Sequence, residues 1–73
     1  MGQFTQARIY VDQLLRYVTE TSDNASLFDH AGDIYYHTGD RQKALSFWKK
    51  ALRLSTGKAE RRRLQQKLRQ RRP

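Results

Sequence analysis

Residues 25–58 read ASLFDHAGDIYYHTGDRQKALSFWKKALRLSTGK, and this stretch decides the fold. Leu27, Phe28, Ala31, Ile34 and Tyr35 recur at three- and four-residue steps, the spacing of one face of a helix. Gly39 follows, suited to the left-handed conformation that ends a helix. Asp40 stands next to it as a natural N-cap. Ala44, Leu45, Phe47, Trp48, Ala51, Leu52 and Leu54 then supply a wide apolar face. The spacing predicts one helix near 24–38, capped by Asp23 or Asn24, and another near 41–54. A turn of about two or three residues makes the pair an antiparallel hairpin.

Working outward, Ala7, Val11, Leu14 and Val18 repeat at helical steps, which predicts a helix near 4–18. Thr19–Asn24 is a loop rich in cap formers. Ser55-Thr56-Gly57 ends the second helix of the hairpin. Residues 58–70 are good helix formers with a thin apolar stripe of Ala59, Leu64 and Leu68, so a fourth helix packs one narrow face and 71–73 fray. Proline occurs only at Pro73, and no strand-like alternation is present. The fold class read from the sequence is all-α, about four helices in a single domain over 1–73.

The chain also repeats itself. Gly39, Ala44, Trp48 and Ala51 stand 37 residues after Gly2, Ala7, Val11 and Leu14. With Phe28-x2-Ala31-Gly32-x2-Tyr35 and Ala44-x3-Trp48-x2-Ala51, residues 25–58 resemble the tetratricopeptide repeat family. That family's pattern is Trp-x2-Leu-Gly-x2-Tyr, then Ala-x3-Phe and Pro, over about 34 residues. Phe28 replaces the Trp, Ala31 the Leu and Thr56 the Pro. In physical terms, Gly32 lets a neighbouring helix approach closely. Ala44 and Ala51 allow close approach at the hairpin seam. Phe28, Tyr35 and Trp48 fill the gaps. The offset implies about three extra residues, most easily placed in Thr19–Asn24. The resemblance makes residues 2–18 the second half of a preceding repeat, and 58–70 the polar helix that closes such arrays. The chain then looks like the C-terminal end of a longer, bacterial array.

Composition bounds the function. The chain has 73 residues, 37% hydrophobic and 30% charged, no Cys, and a net charge of +8. Residues 58–73 carry eight basic side chains against Glu60 alone, a net +7, while residues 1–57 carry seven basic and six acidic groups, a net +1. A chain this short buries only about 60% of its unfolded surface, so it is marginal without a disulfide, metal or partner. No apolar run reaches the roughly 20 residues of a membrane span, and no signal peptide is visible, so the default compartment is the cytoplasm. No Gly-rich phosphate loop is present, and Ser22, Ser26, Ser46 and Ser55 read as cap, loop or surface positions. Catalysis and a cofactor are not expected.

The resemblance implies a non-catalytic protein-interaction scaffold whose first helices line a concave face. By register, Ser26, Asp29, Asp33, Tyr36 and His37 lie there, and Arg63 and Lys67 adjoin from the fourth helix. The family's subgroup that clamps a C-terminal carboxylate uses Lys and Asn at this face; Asp29 and Asp33 are acidic, so that activity is not carried over. Asp29 and Asp33 facing Arg63 and Lys67 form either a self-neutralising ladder or a mixed-charge peptide groove anchored by Tyr36. A second surface is the uncovered side of the first helix. There Phe4, Tyr10, Val11, Leu14 and Val18 are candidates for self-association, since each large side chain left wet forfeits roughly 1.5–3 kcal/mol. The alternative from another class is a polyanion binder using Lys58, Arg61, Arg62, Arg63, Lys67, Arg69, Arg71 and Arg72. No aromatic residue follows Trp48 to stack bases, and Leu64 and Leu68 give little membrane insertion. His30, Asp33 and His37 share a helix face but lack a fourth ligand, so no metal site is expected.

Overall fold

The computed structural model describes the backbone of residues 2–73 and the side chains of residues 5–73. Four α-helices follow in order: α1 (Gly2–Leu15), α2 (Ala25–His37), α3 (Arg41–Leu54) and α4 (Lys58–Gln70). A single 3₁₀ turn, Ser22–Asn24, precedes α2. No strand occurs among the described residues. The helices pack as a stack, with α2 against α3 as the closest seam, α4 against α3, and α1 against α2.

The turn between α2 and α3 follows from its residues. Gly39 takes φ +93°, so its N–H donates to the Tyr36 carbonyl (3.1 Å) and the Asp40 N–H to the Tyr35 carbonyl (2.9 Å). This is the Schellman arrangement, which satisfies carbonyls that the helix end leaves open. The Asp40 Oδ1 then accepts from the Lys43 backbone N–H at 3.2 Å and caps α3.

Two expectations need correction. The first helix stops at Leu15, not 18: Arg16 and Tyr17 donate to the carbonyls of Gln13 and Leu14, a tightened last turn, and the β-branched Val18-Thr19 pair favours extended backbone. Neither Asp23 nor Asn24 caps α2 through its side chain. Both lie in the 3₁₀ turn, and Asn24 Nδ2 instead donates backward to the Thr19 carbonyl at 2.8 Å. At the other end, residue 71 closes α4: Arg71 adopts φ 57° and the Arg72 N–H donates to the Lys67 carbonyl.

The core is built from small and aromatic residues in register. Phe28, Ala31 and Tyr35 of α2, Ala44, Trp48 and Ala51 of α3, Leu64 of α4 and Val11 of α1 are all buried. Gly32 is needed because the Trp48 indole lies directly on it; a Cβ there would run into the ring. The close neighbour that Gly32 admits is therefore a side chain. Phe47 stacks between Phe28 and Tyr35 at centroid distances of 6.2 and 5.2 Å, contacts that add about 0.5–1.5 kcal/mol each beyond burial.

Candidate interaction surfaces

The α2–α4 face forms around one lysine. Lys67 sits on the side of α4 turned toward α2, and its side chain is 12% exposed. Its Nζ donates to Asp29 Oδ1 at 2.7 Å and to Asp33 Oδ1 at 3.0 Å. Arg63, one turn earlier, donates to the other oxygen of Asp29 at 3.2 Å. The Trp48 Nε1–H donates to Asp33 Oδ1 at 3.1 Å. The indole thus spends its only polar group on a carboxylate that Lys67 also holds, and the lysine Nζ lies 5.7 Å from the Trp48 ring. Asp29 is buried, a position a carboxylate takes only when paired.

The register places Asp29 and Asp33 opposite Arg63 and Lys67, as the spacing requires. These four charges are joined to each other. Tyr36 stacks on Trp48 (5.9 Å) and lies under the Arg41 guanidinium at 5.4 Å, so it is half-buried rather than a free anchor. Ser26 and His37 are exposed on the same helix, with the His37 ring edge-on to Tyr36 at 5.7 Å. Beside them, Arg63, Gln66, Lys67, Gln70, Arg72 and Pro73 line a shallow depression. No group of three His, Cys, Asp or Glu suited to a metal occurs among the described residues; Asp33 is turned to Trp48 and Lys67.

The self-association candidates divide. Val11 is buried in the core, Val18 is half-buried against it, and Leu14 is half-buried. Tyr10 is 65% exposed. The Phe4 side chain lies outside the described residues. Ile9 and Tyr17, which periodicity did not single out, are also exposed.

The basic groups divide too. Arg61 Nη1 donates to the carbonyls of Leu52 (2.7 Å) and Ser55 (3.1 Å), closing the C-terminus of α3 with a cation where the helix dipole favours one. With Arg63 and Lys67 spent on Asp29 and Asp33, the exposed cations of this segment without a side-chain partner are Lys58, Arg62, Arg69, Arg71 and Arg72. Near the α1–α2 loop, Glu20 bridges Arg53 at 2.7 Å and Lys50 at 3.2 Å. The Lys50 hydrogen bond and charge, then Arg53, hold its carboxyl below the ordinary Glu value. Nothing in the sequence pattern marked Glu20, since a lone acid in a loop has no periodicity.

A family model described as tetratricopeptide repeat matches residues 25–57. Comparison with curated proteins and with solved structures returned no match. No described helix is long and apolar enough to cross a membrane.

Proposed function

We propose that this chain, which carries a tetratricopeptide repeat over residues 25–57, is a non-catalytic protein–protein interaction segment that holds a peptide along the face shared by α2 and α4. The observation that carries the reading is the Asp29–Lys67–Asp33 cluster. It ties α4 to α2 across 34 to 38 residues of sequence, so the two helices present one continuous surface. Because the acids are neutralised from within, Asp29 and Lys67 hold the wall. Ser26, Tyr36, His37 and the 60%-exposed Arg63 are left to meet the peptide. The exposed donors favour a peptide that brings carboxylates.

The test is a random phage-displayed peptide library panned on the full chain, with the selected peptides mapped by amide chemical shifts. The expected footprint is Ser26, Tyr36, His37 and Arg63, weakened by Arg63→Ala. A footprint confined to α1, or no selection above background, would refute the groove.

The exposure of Ile9, Tyr10 and Tyr17 favours a second contact surface on α1. Association between copies there is read by light scattering at two concentrations: a mass near twice 8.7 kDa supports it and a mass near 8.7 kDa at both removes it. The polyanion alternative loses Arg61 and Lys67 to internal bonds and shares with the groove Arg63, which is 60% exposed but bonded to Asp29. Were it the main activity, binding would fall steeply with salt.

A further inference from the structure

The near-neutral sum of residues 1–57 conceals a separation of charge. α3 carries Arg41, Lys43, Lys49, Lys50 and Arg53 and no acidic residue. The acids that could balance them are spent elsewhere. Asp29 and Asp33 are bonded to Lys67 on the α2–α4 face, and Asp40 caps the α3 backbone. Among the described residues only Glu20 forms an ion pair with a cation of α3, bridging Arg53 at 2.7 Å and Lys50 at 3.2 Å. Ser46, Lys49, Lys50 and Arg53 follow one another at helical steps of three and four residues, so they share one face. They wall a shallow hollow of about 240 Å³. Ser46 and Lys49 are exposed there. The chain itself thus seats one carboxylate, borne on a loop, on two of these four residues, and leaves a third cation and a hydroxyl beside them.

We propose that this face of α3 is an interaction surface for an acidic segment of a protein partner, whose carboxylates meet Ser46 and Lys49 and take the place of Glu20 on Lys50 and Arg53. Glu20 can yield its seat. Its side chain is 49% exposed and that of Arg53 is 66% exposed, and an exposed ion pair is weak. Exchange of one carboxylate for another keeps both cations paired, while Lys49 gains a partner that it lacks in the free chain. Complementary charge of this kind sets partner choice and on-rate more than raw affinity. The seat favours protein over nucleic acid. Its internal occupant is a carboxylate carried on a peptide backbone. The aromatic residues of α3 offer no stacking platform to bases, since Phe47 lies on Tyr35 and Trp48 on Gly32. All five residues lie between positions 20 and 53, so neither end of the chain enters the surface. The inference rests on the protein-interaction reading but uses no residue of the α2–α4 groove.

The probe is a labelled synthetic peptide of alternating Glu and Gly, titrated onto the full chain at moderate salt and followed by fluorescence anisotropy. Saturable binding is expected, and none by the same peptide with Gln for Glu. Lys50→Gln together with Arg53→Gln should weaken it about tenfold. Arg62→Gln together with Arg69→Gln, an equal loss of charge on the exposed side of α4, should change it less than about twofold. Glu20→Gln removes the internal competitor and should tighten binding about threefold. Asp23→Asn makes the same change of charge where no ion pair is broken and should leave it within about twofold. A tightened complex cannot come from an unfolded chain, so Glu20→Gln reports on the seat even where the double α3 variant loses stability. Three results overturn the inference: no saturation at millimolar chain, equal tightening by Asp23→Asn, or equal weakening by the α4 pair. Binding lost on Arg63→Ala alone would place the peptide in the groove and also overturn it. So would a short duplex DNA that binds more tightly than the peptide and is lost with the α3 pair, since the surface would then serve polyanions.

Discussion

Replacing Lys67 by Met keeps an unbranched stem against Trp48 and removes one charge. That charge is bonded to Asp29 at 2.7 Å and to Asp33 at 3.0 Å, with side-chain exposures of 12% for the lysine, 5% for Asp29 and 32% for Asp33. Removing one partner of a buried pair costs about 3–5 kcal/mol, because the other charge stays desolvated and alone. Two features reduce this. Arg63 still reaches Asp29 at 3.2 Å, although its guanidinium is 60% exposed and therefore screened, and Asp33 can take up water. The expected loss is about 2–3 kcal/mol. A chain of this length has of order 4–11 kcal/mol in total, and with a urea slope near 1 kcal/mol/M the midpoint should fall by about 2–3 M. Trp48 is the only tryptophan and its indole is bonded into the cluster, so its emission reports both unfolding and local disturbance. Arg62→Met, on the exposed side of the same helix, is the control and should stay within about 0.5 kcal/mol of the parent. Adding Asp29→Asn to Lys67→Met should recover part of the loss, since the stranded charge is then gone. If Lys67→Met and Arg62→Met unfold at the same urea concentration, the cluster does not hold α4 and the reasoning fails.

Three further outcomes are expected. Gly32→Ala gains about 1 kcal/mol of helix propensity but drives a methyl into the Trp48 ring, an overpacking cost of about 1–3 kcal/mol. The net effect is destabilising, with a shifted Trp48 emission; a stabilised variant would show that the ring is free to move. The Tyr35 hydroxyl is buried without a hydrogen-bond partner, so Tyr35→Phe should be neutral or stabilising by about 1 kcal/mol in thermal unfolding, and a loss above that would mean the hydroxyl is paired. Glu20, held ionised by Lys50 and Arg53, should titrate by carboxyl-carbon NMR below the ordinary Glu midpoint. Its contribution to stability is full above the unfolded value and is lost as pH falls through the lowered folded one. Glu20→Gln should remove that part of the acid dependence, and an ordinary midpoint would break the argument.

The helices were legible because their signals are local. Gly39-Asp40 fixes the α2–α3 turn through backbone conformation and a cap, and both operate within a few residues. The pairing of Asp29 and Asp33 with Arg63 and Lys67 was legible as well, because helical register carries across a repeat. What periodicity does not encode is which of several equivalent groups turns inward. Arg61 sits in a run of three arginines, and only the geometry of the α3 end picks it out to close the Leu52 and Ser55 carbonyls. Asp33 and Trp48 are 15 residues apart, and their bond depends on the indole lying flat on Gly32. The first helix was read three residues too long because Val18 keeps the apolar spacing after the backbone has left the helix. Val18 still packs against the core, so the pattern was true of the packing and false of the helix.

Arg61 has one more effect. By bonding the last carbonyls of α3 it makes the basic segment part of the rigid body, and α4 and α1 stand at the two ends of the stack. Of the net +8, +7 sits on residues 58–73, so the charge is held at the α4 end of the stack rather than spread as a loose cloud. On a negatively charged support such as a cation-exchange bead, the chain is therefore expected to bind with α4 inward and α1 facing the liquid.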